Sequence, residues 1–257
     1  MLSLAEQNRW REVYRQRRPD WRPATEVYAD LVRAHLTAAT RLLDLGCGRG
    51  GLVEQLVSGE GEPYSLFSSH CSVAGEPHKT KRWLGIDPDW ASLQQHRLPD
   101  LPRLAAVSDA LPLRAASVDL IFCSWLLEHL SRPSLTFAEI SRLLRPGGVF
   151  IFITPNARHP LAHLNHALGS VAQIQGWLVS SLYGRSASDA FPTTYQANTT
   201  DQLHHLAQAH GLHLSQLHPV PDPSYLAFHP LLFRLMCHIE ERLPAERKLH
   251  LVGVLQK

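Results

Sequence analysis

Three aspartates and a run of glycines carry the chemistry legible in this 257-residue chain. The stretch from Leu42 to Gly51 reads LLDLGCGRGG and fits two patterns at once. Through Gly46, Gly48 and Gly51 it is the G-x-G-x-x-G of a site for a diphosphate-bearing dinucleotide. Through Asp44, Gly46, Gly48 and Gly50 it sets a carboxylate ahead of a glycine loop. Glycines after a strand let a ligand approach the backbone under either reading, so charge must separate them. A carboxylate at Asp44 repels a diphosphate and attracts an ammonium or sulfonium group, each by about 1 kcal/mol or more at short range.

Two more acids follow. Asp87 closes Leu84-Gly85-Ile86-Asp87, where a strand-end carboxylate accepts hydrogen bonds from ribose hydroxyls; this suits NAD and S-adenosylmethionine alike. Asp109, in Val107-Ser108-Asp109-Ala110, is placed to take a hydrogen bond from an adenine amino group, with Ala110 beside the ring. Three carboxylates at successive strand ends favour a cationic adenosine ligand, S-adenosylmethionine.

The elements that position these residues follow from periodicity. Trp10, Val13 and Tyr14, then Tyr28, Leu31, Val32 and Leu36, recur at helical spacing. Two helices are therefore expected before the first strand, with a turn at Pro19 to Pro23, and residues 1–40 are read as a helical cap. Strands are expected at Arg41–Leu45, Trp83–Ile86, Leu104–Val107, Val118–Cys123 and Val149–Thr154, with a helix over Leu52–Val57. A further helix opens at Pro133 with Phe137, Ile140 and Leu144 on one face, and Pro146-Gly147-Gly148 stops it. Residues 58–81 are Gly/Ser/Pro-spotted and read as a loop insertion, which explains why the spacing from the glycine loop to Asp87 is longer than in a simple nucleotide-binding unit. Thr199 or Thr200 caps a helix that Gly211 ends; strands at Leu212–Leu217 and His250–Leu255 complete the chain. Strand and helix alternation predicts an α/β fold, a mostly parallel sheet with ligand at the carboxyl ends.

The motifs LLDLGCGRG, GIDPD, SDALPL, VDLIFCSWLLEHL and LLRPGGVFIFITPN, in this order, resemble those of class I S-adenosylmethionine-dependent methyltransferases. The small-molecule type that includes the ubiquinone-biosynthesis O-methyltransferases is the nearest likeness, and it covers about Arg41 to Asn156. The resemblance implies a Rossmann-like seven-stranded sheet with its last strand antiparallel, spanning residues 41–257. It implies that Asp44, Gly46, Cys47, Gly48 and Gly50 hold the methionine half of the cofactor and that Asp87 and Pro88 lie at the ribose. It places Asp109 and Ala110 at the adenine and the Ser124 backbone beside the methionine end.

His129 is the candidate general base, because imidazole titrates near neutral pH and the segment after the fourth strand borders the methyl group in folds of this kind. The competing role for His129 is support of the loop by a backbone hydrogen bond. Glu128 is expected to brace the site, and Trp125 to wall the acceptor pocket or pack in the core. Relatives that bind a metal carry Glu-x-x-Glu-His here; Trp125-Leu126-Leu127-Glu128-His129 has Trp at the first Glu, and no metal is expected. His159 and His163 share helical ligand spacing, yet no acid or cysteine recurs beside them, nor beside His204, His205, His210 and His213. Tyr14 is read as a packing residue.

Segments 158–198 and 221–246 are expected to face the acceptor, a lipid, sugar or natural product, with methylation at oxygen. The stripe Tyr225, Phe228, Leu231, Leu232, Leu235, Met236 and Ile239 suits burial against the sheet, leaving contact with an apolar acceptor, a peripheral membrane surface or a second subunit open. A net charge of +2 gives no sign of a nucleic-acid partner, and the arginines from Arg9 to Arg22 read as a solvated helix face. Cys47, Cys71, Cys123 and Cys237 form no pairing pattern, and no signal segment or span is apparent, so a cytoplasmic setting is expected. Two other classes stay open: a non-catalytic scaffold that binds S-adenosylmethionine, and an NAD(P)-dependent oxidoreductase resting on Gly46, Gly48 and Gly51 alone.

Overall fold

The computed structural model describes residues 4–36, 41–51, 82–162 and 192–257. The expected helix over Leu52–Val57 and the insertion at 58–81 lie outside them, as do His163 and most of segment 158–198.

Seven strands form one sheet: β1 (Arg41–Leu45), β2 (Arg82–Asp87), β3 (Arg103–Ala105), β4 (Val118–Ser124), β5 (Leu144–Pro155), β6 (His213–Val220) and β7 (His250–Gln256). Their spatial order is β3-β2-β1-β4-β5-β7-β6. β1 to β5 run parallel, and β7 enters antiparallel between β5 and β6, the topology that the resemblance implied. The ends of β1, β2, β3, β4 and β5 therefore share one edge with the end of β6 and the start of β7.

Successive side chains along each strand point to opposite sides, and β1, β4 and β7 are buried on both, whereas the edge strands β3 and β6 are not. Leu42, Leu120, Phe122, Ile151, Ile153, Val252 and Val254 share one apolar cluster with Ala24, Tyr28, Val32 and Leu36 of α2 (Ala24–Leu36). Leu43, Ile121, Cys123, Phe150, Phe152 and Leu255 share the other with Phe137, Ile140 and Leu143 of the helix Pro133–Leu143 and with Leu203, Leu206 and Ala207 of the helix Thr200–Ala209. Gly253 is built into this packing: a Cβ there would meet Phe152 Cζ at 2.3 Å.

The first forty residues are tied to the sheet and to the carboxyl-terminal part. α2 covers one sheet face, while α1 (Leu4–Arg17) sends Tyr14 into a small cluster with Trp21, Ala227, Phe233 and Cys237. The Arg11 guanidinium grips Asp222 at 2.7 Å, with the Asp222 side chain 1% exposed.

Several element bounds and one helix phase differ from the pattern reading. The third strand occupies Arg103–Ala105, so Ala106 and Val107 are released from it. Leu144 is the first residue of β5, with extended backbone and Val118 as its strand partner, because its burial is satisfied in the sheet. Pro146-Gly147-Gly148 consequently lies inside the strand's irregular start, after the helix has ended. In the helix Pro230–Arg242 the inward residues are Phe233, Met236, Cys237 and Glu240, whereas Leu231 and Leu235 are exposed. Of the expected stripe Met236 faces inward, while Phe228, Leu231, Leu232 and Leu235 are exposed, because Glu240, buried against His159, extends the inner face. No described helix is long and apolar enough to cross a membrane.

Candidate functional site

The glycine loop turns sharply after β1, with φ of +77° at Gly46, +50° at Gly48 and +99° at Gly50, values that favour glycine over any L side chain. Four of its N–H groups are engaged within the protein. Gly46 and Cys47 both donate to the Ile86 carbonyl, Gly50 donates to the Cys47 carbonyl, and Gly48 donates to Asp87 Oδ2 at 2.9 Å. A diphosphate needs such amides free and converging; here they close the loop on itself and onto β2.

Asp44 lies beneath this loop, buried, and no described residue donates a hydrogen bond to its carboxyl. Burial, and secondarily the nearby Asp87 charge, push its pKa up to about 7. Asp87 is held differently: Oδ2 takes the Gly48 N–H and Oδ1 the Asp89 N–H at 2.8 Å. Burial raises its pKa, and these two backbone donors oppose the rise. Each Asp87 oxygen keeps a second lone pair for a further donor.

A cleft of about 500 Å³ opens over the carboxyl edge, with Gly46, Gly48, Asp87, Pro88, Asp109 and His129 in its wall. Ala106, Val107 and Leu130 add apolar surface, Val107 being 49% exposed. Asp109 is paired with Arg132 Nη2 at 2.6 Å.

The turn after β4 forms the other wall. Trp125 sits at φ +57°, a strained backbone for a bulky residue, while its N–H still donates to the Ile153 carbonyl of β5. Its ring lines the cleft and meets His250 edge-on, centroids 5.2 Å apart. The short turn Leu127–His129 follows. Glu128 is buried and accepts a hydrogen bond from Thr154 Oγ1 at 3.1 Å; Asn198 Nδ2 in turn donates to that hydroxyl at 2.6 Å. His129 Nδ1 lies 3.2 Å from the Pro192 carbonyl, so it carries the ring proton and Nε2 carries the lone pair. The Thr194 N–H and hydroxyl bond the carbonyls of Glu128 and Leu130, fastening segment 192–198 to this turn.

Six of the sequence-predicted residues thus converge on the cleft. Asp44, Cys47, Gly50, Ala110 and Ser124 stand outside its wall. Asp44 is under the loop; Cys47 is buried against Gly85, where a Cβ would lie 2.8 Å from its Sγ. Ala110 is exposed, its N–H bonded to the Val107 carbonyl, and the Ser124 backbone is paired with Ile153 in the sheet. Arg132, Thr154, Asn198 and His250 were not singled out from the sequence, because their partners are remote in the chain and no local spacing links them. Among the described residues no group of three or more His, Cys, Asp or Glu is arranged to hold a metal.

Comparison with known proteins bears on this site. The family described as "Methyltransferase domain" matches residues 13–217. A ubiquinone biosynthesis O-methyltransferase of Xanthomonas oryzae pv. oryzae is 30% identical over 164 residues, 63% of this chain and 62% of that protein. A probable S-adenosylmethionine-dependent methyltransferase of Mycolicibacterium smegmatis is 30% identical over 154 residues, 60% of this chain and 48% of that protein. The chain therefore spans less than two thirds of the length of these relatives. Among solved structures, geranyl diphosphate C-methyltransferase from Streptomyces coelicolor A3(2), in complex with S-adenosyl-L-homocysteine, superposes with a TM-score of 0.58 at 13% identity. That match covers 90% of this chain and 79% of the other, a likeness of fold.

Proposed function

Because this chain belongs to the class I S-adenosylmethionine-dependent methyltransferase family, we propose that its cleft holds S-adenosylmethionine and that it methylates a small molecule, at oxygen. The observation that carries this reading is the buried Asp44 carboxyl, without a donor among the described residues, beneath a loop in which the N–H groups of Gly46, Cys47, Gly48 and Gly50 are engaged. Such a site suits a cationic ligand better than a diphosphate. Bound there, the sulfonium supplies an already activated methyl group.

The residues then divide the work. Asp44 meets the ammonium of the methionine half; Gly46 and Gly48 keep the loop free of side chains, with Cys47, Gly50 and the Ser124 backbone shaping its surroundings. The outer lone pairs of Asp87 accept the ribose hydroxyls, next to Pro88. Asp109, held by Arg132, takes the adenine amino group, with Ala106, Val107 and Ala110 near the ring. His129 Nε2 draws the proton from the acceptor hydroxyl, while the bond from Nδ1 to Pro192 fixes the tautomer that makes this possible. Glu128, held by Thr154 and Asn198, keeps the turn in place. Residues 1–40 serve as a helical cap on the domain formed by 41–257, and in this reading segments 158–198 and 221–246 select the acceptor. The acceptor is a lipid, sugar or natural product: the matched Xanthomonas relative is named for ubiquinone biosynthesis, and the buried free cysteines Cys47, Cys123 and Cys237 suit action in the cytoplasm.

Methyl-labelled S-adenosylmethionine incubated with the protein and a cell extract tests this reading. Label is expected in an organic-soluble or sugar fraction. Binding of S-adenosylmethionine without transfer to any fraction would favour a scaffold, and micromolar NAD binding without a response to S-adenosylmethionine would refute the cofactor assignment.

A further inference from the structure

The exposed apolar surface of the chain is gathered in one place. Of the seven large apolar side chains exposed among the described residues, four are Phe228, Leu231, Leu232 and Leu235, with Leu231 65% and Leu235 52% accessible. Leu231, Arg234, Leu235, His238 and Arg242 recur at helical spacing, so they share the outer face of the helix Pro230–Arg242, with Leu232 alongside and Phe228 in the turn before it. The opposite face clamps this helix to the protein: Phe233 and Cys237 pack with Tyr14 and Trp21, and Glu240 is buried against His159. The leucines therefore project from a fixed support, and a cluster of this kind marks a contact with something outside the chain.

The charge bordering the leucines is mainly positive. A groove of about 500 Å³ runs between α1 and Phe228, with Arg9 in its wall beside Trp10 and Val13. Arg9 and Arg234 are exposed and make no ion pair among the described residues, while Arg242 donates to the uncharged Nδ1 of His238. The acids nearby are placed differently. Glu241 is held by Arg18 at 3.4 Å, Asp222 by Arg11, and Glu240 is turned inward; only Glu6 shares the groove with Arg9. Three arginines and one acid thus surround the apolar face.

We propose that this face docks on an anionic phospholipid surface, with Phe228, Leu231, Leu232 and Leu235 entering the acyl boundary and Arg9, Arg234 and Arg242 meeting lipid phosphates. Leucines and arginines alternate along one side of the helix, which suits the interfacial layer, where hydrocarbon and phosphate lie within a side chain's reach of each other. A second copy fits less well, because a two-fold interface pairs a patch with itself and would set arginine against arginine. No described helix is long and apolar enough to cross a membrane, so the contact is with one leaflet. The docked face also leads toward the cleft: Phe228 follows Tyr225, whose ring lies 5.6 Å from that of His250, and His250 lies 5.2 Å from Trp125 in the cleft wall. Docking itself does not depend on what the cleft holds.

Flotation of the full chain with vesicles of phosphatidylcholine containing about one third phosphatidylglycerol, against vesicles of phosphatidylcholine alone, tests this. Binding to the anionic vesicles is expected to be at least about tenfold tighter, since each arginine at such a surface contributes roughly fivefold, and to weaken as salt rises. Leu231→Asn combined with Leu235→Asn should weaken it at least about tenfold without moving the melting temperature, because both side chains are exposed. Arg9→Gln combined with Arg234→Gln should bring the affinities for the two vesicle types within about threefold of each other. No binding to the anionic vesicles, equal binding of the unaltered chain to both types, or a leucine variant that binds normally would each overturn the proposal. So would a dimer in sedimentation equilibrium that the leucine variant splits while vesicles bind neither protein, a result that gives the face to a second copy.

Discussion

If Asp44 meets the cofactor's ammonium as a carboxylate, cofactor affinity must follow its ionisation. The buried carboxyl has its pKa pushed up to about 7. Ligand that binds only the ionised form has its dissociation constant multiplied by one plus the ratio of protonated to ionised acid. That factor is about 11 at pH 6 and about 1.1 at pH 8, a tenfold change worth about 1.4 kcal/mol. Titration calorimetry in buffers of different ionisation enthalpy should show release of nearly one proton per ligand at pH 6 and almost none at pH 8. Asp44→Asn should bind weakly at every pH and lose the slope, whereas Asp87→Asn should move the midpoint downward, since the Asp87 charge contributes to the rise. The sign for stability is opposite. A carboxyl whose folded pKa lies above its unfolded value makes the free protein less stable as pH rises from about 4 to about 7, and the penalty persists above that. Asp44→Asn should therefore stabilise the free protein at pH 8, by at most about 4 kcal/mol for a rise of roughly three units. A flat affinity profile from pH 6 to 8, or an Asp44→Asn protein that keeps the slope, would refute the reasoning.

Other consequences are equally direct. His129→Ala is expected to lower turnover by about 10²-fold or more with cofactor affinity little changed, and the loss should shrink at high pH for an ionisable acceptor; pre-steady-state and binding measurements check both. Asp87→Ala should weaken the cofactor by about 1.5 to 3 kcal/mol and also release the Gly48 N–H, measurable by calorimetry. Gly253→Ala forces a Cβ against the Phe152 ring and should destabilise the fold by about 1 to 3 kcal/mol in urea unfolding, with partial recovery when Phe152→Leu is added. Arg11→Ala leaves the Asp222 carboxylate buried and uncompensated, at a cost of about 3 to 5 kcal/mol by the same measurement.

The sheet was legible because its residues obey a local period. β1, β2 and β4 are short apolar runs ended by polar or glycine residues, and the antiparallel seventh strand came from the motif resemblance. Asp87 was legible for the same reason, as the last residue of β2, while Asp44 stands one residue before the end of β1 and Asp109 lies in the turn beyond β3. Helix phase was harder. The helix Pro230–Arg242 carries apolar residues on two sides, and contacts remote in the chain, Glu240 with His159 and Phe233 and Cys237 with Tyr14 and Trp21, show which side is inward. The loop amides, the clasp of Thr194 on the β4 turn and the burial of His250 with both ring nitrogens unpartnered among the described residues depend on contacts between segments tens of residues apart. No spacing rule encodes these.

The placement of β7 between β5 and β6 has a consequence for biogenesis. β6 is synthesised before the strand that joins it to the sheet, so a nascent chain that has not yet emerged past His250 displays two raw edges, one on β5 and one on β6. Until β7 threads between them, those edges invite pairing with other chains. Folding yield should then hinge on the speed of that insertion, and a chaperone that shields the gap would matter more than one that protects β1 to β4.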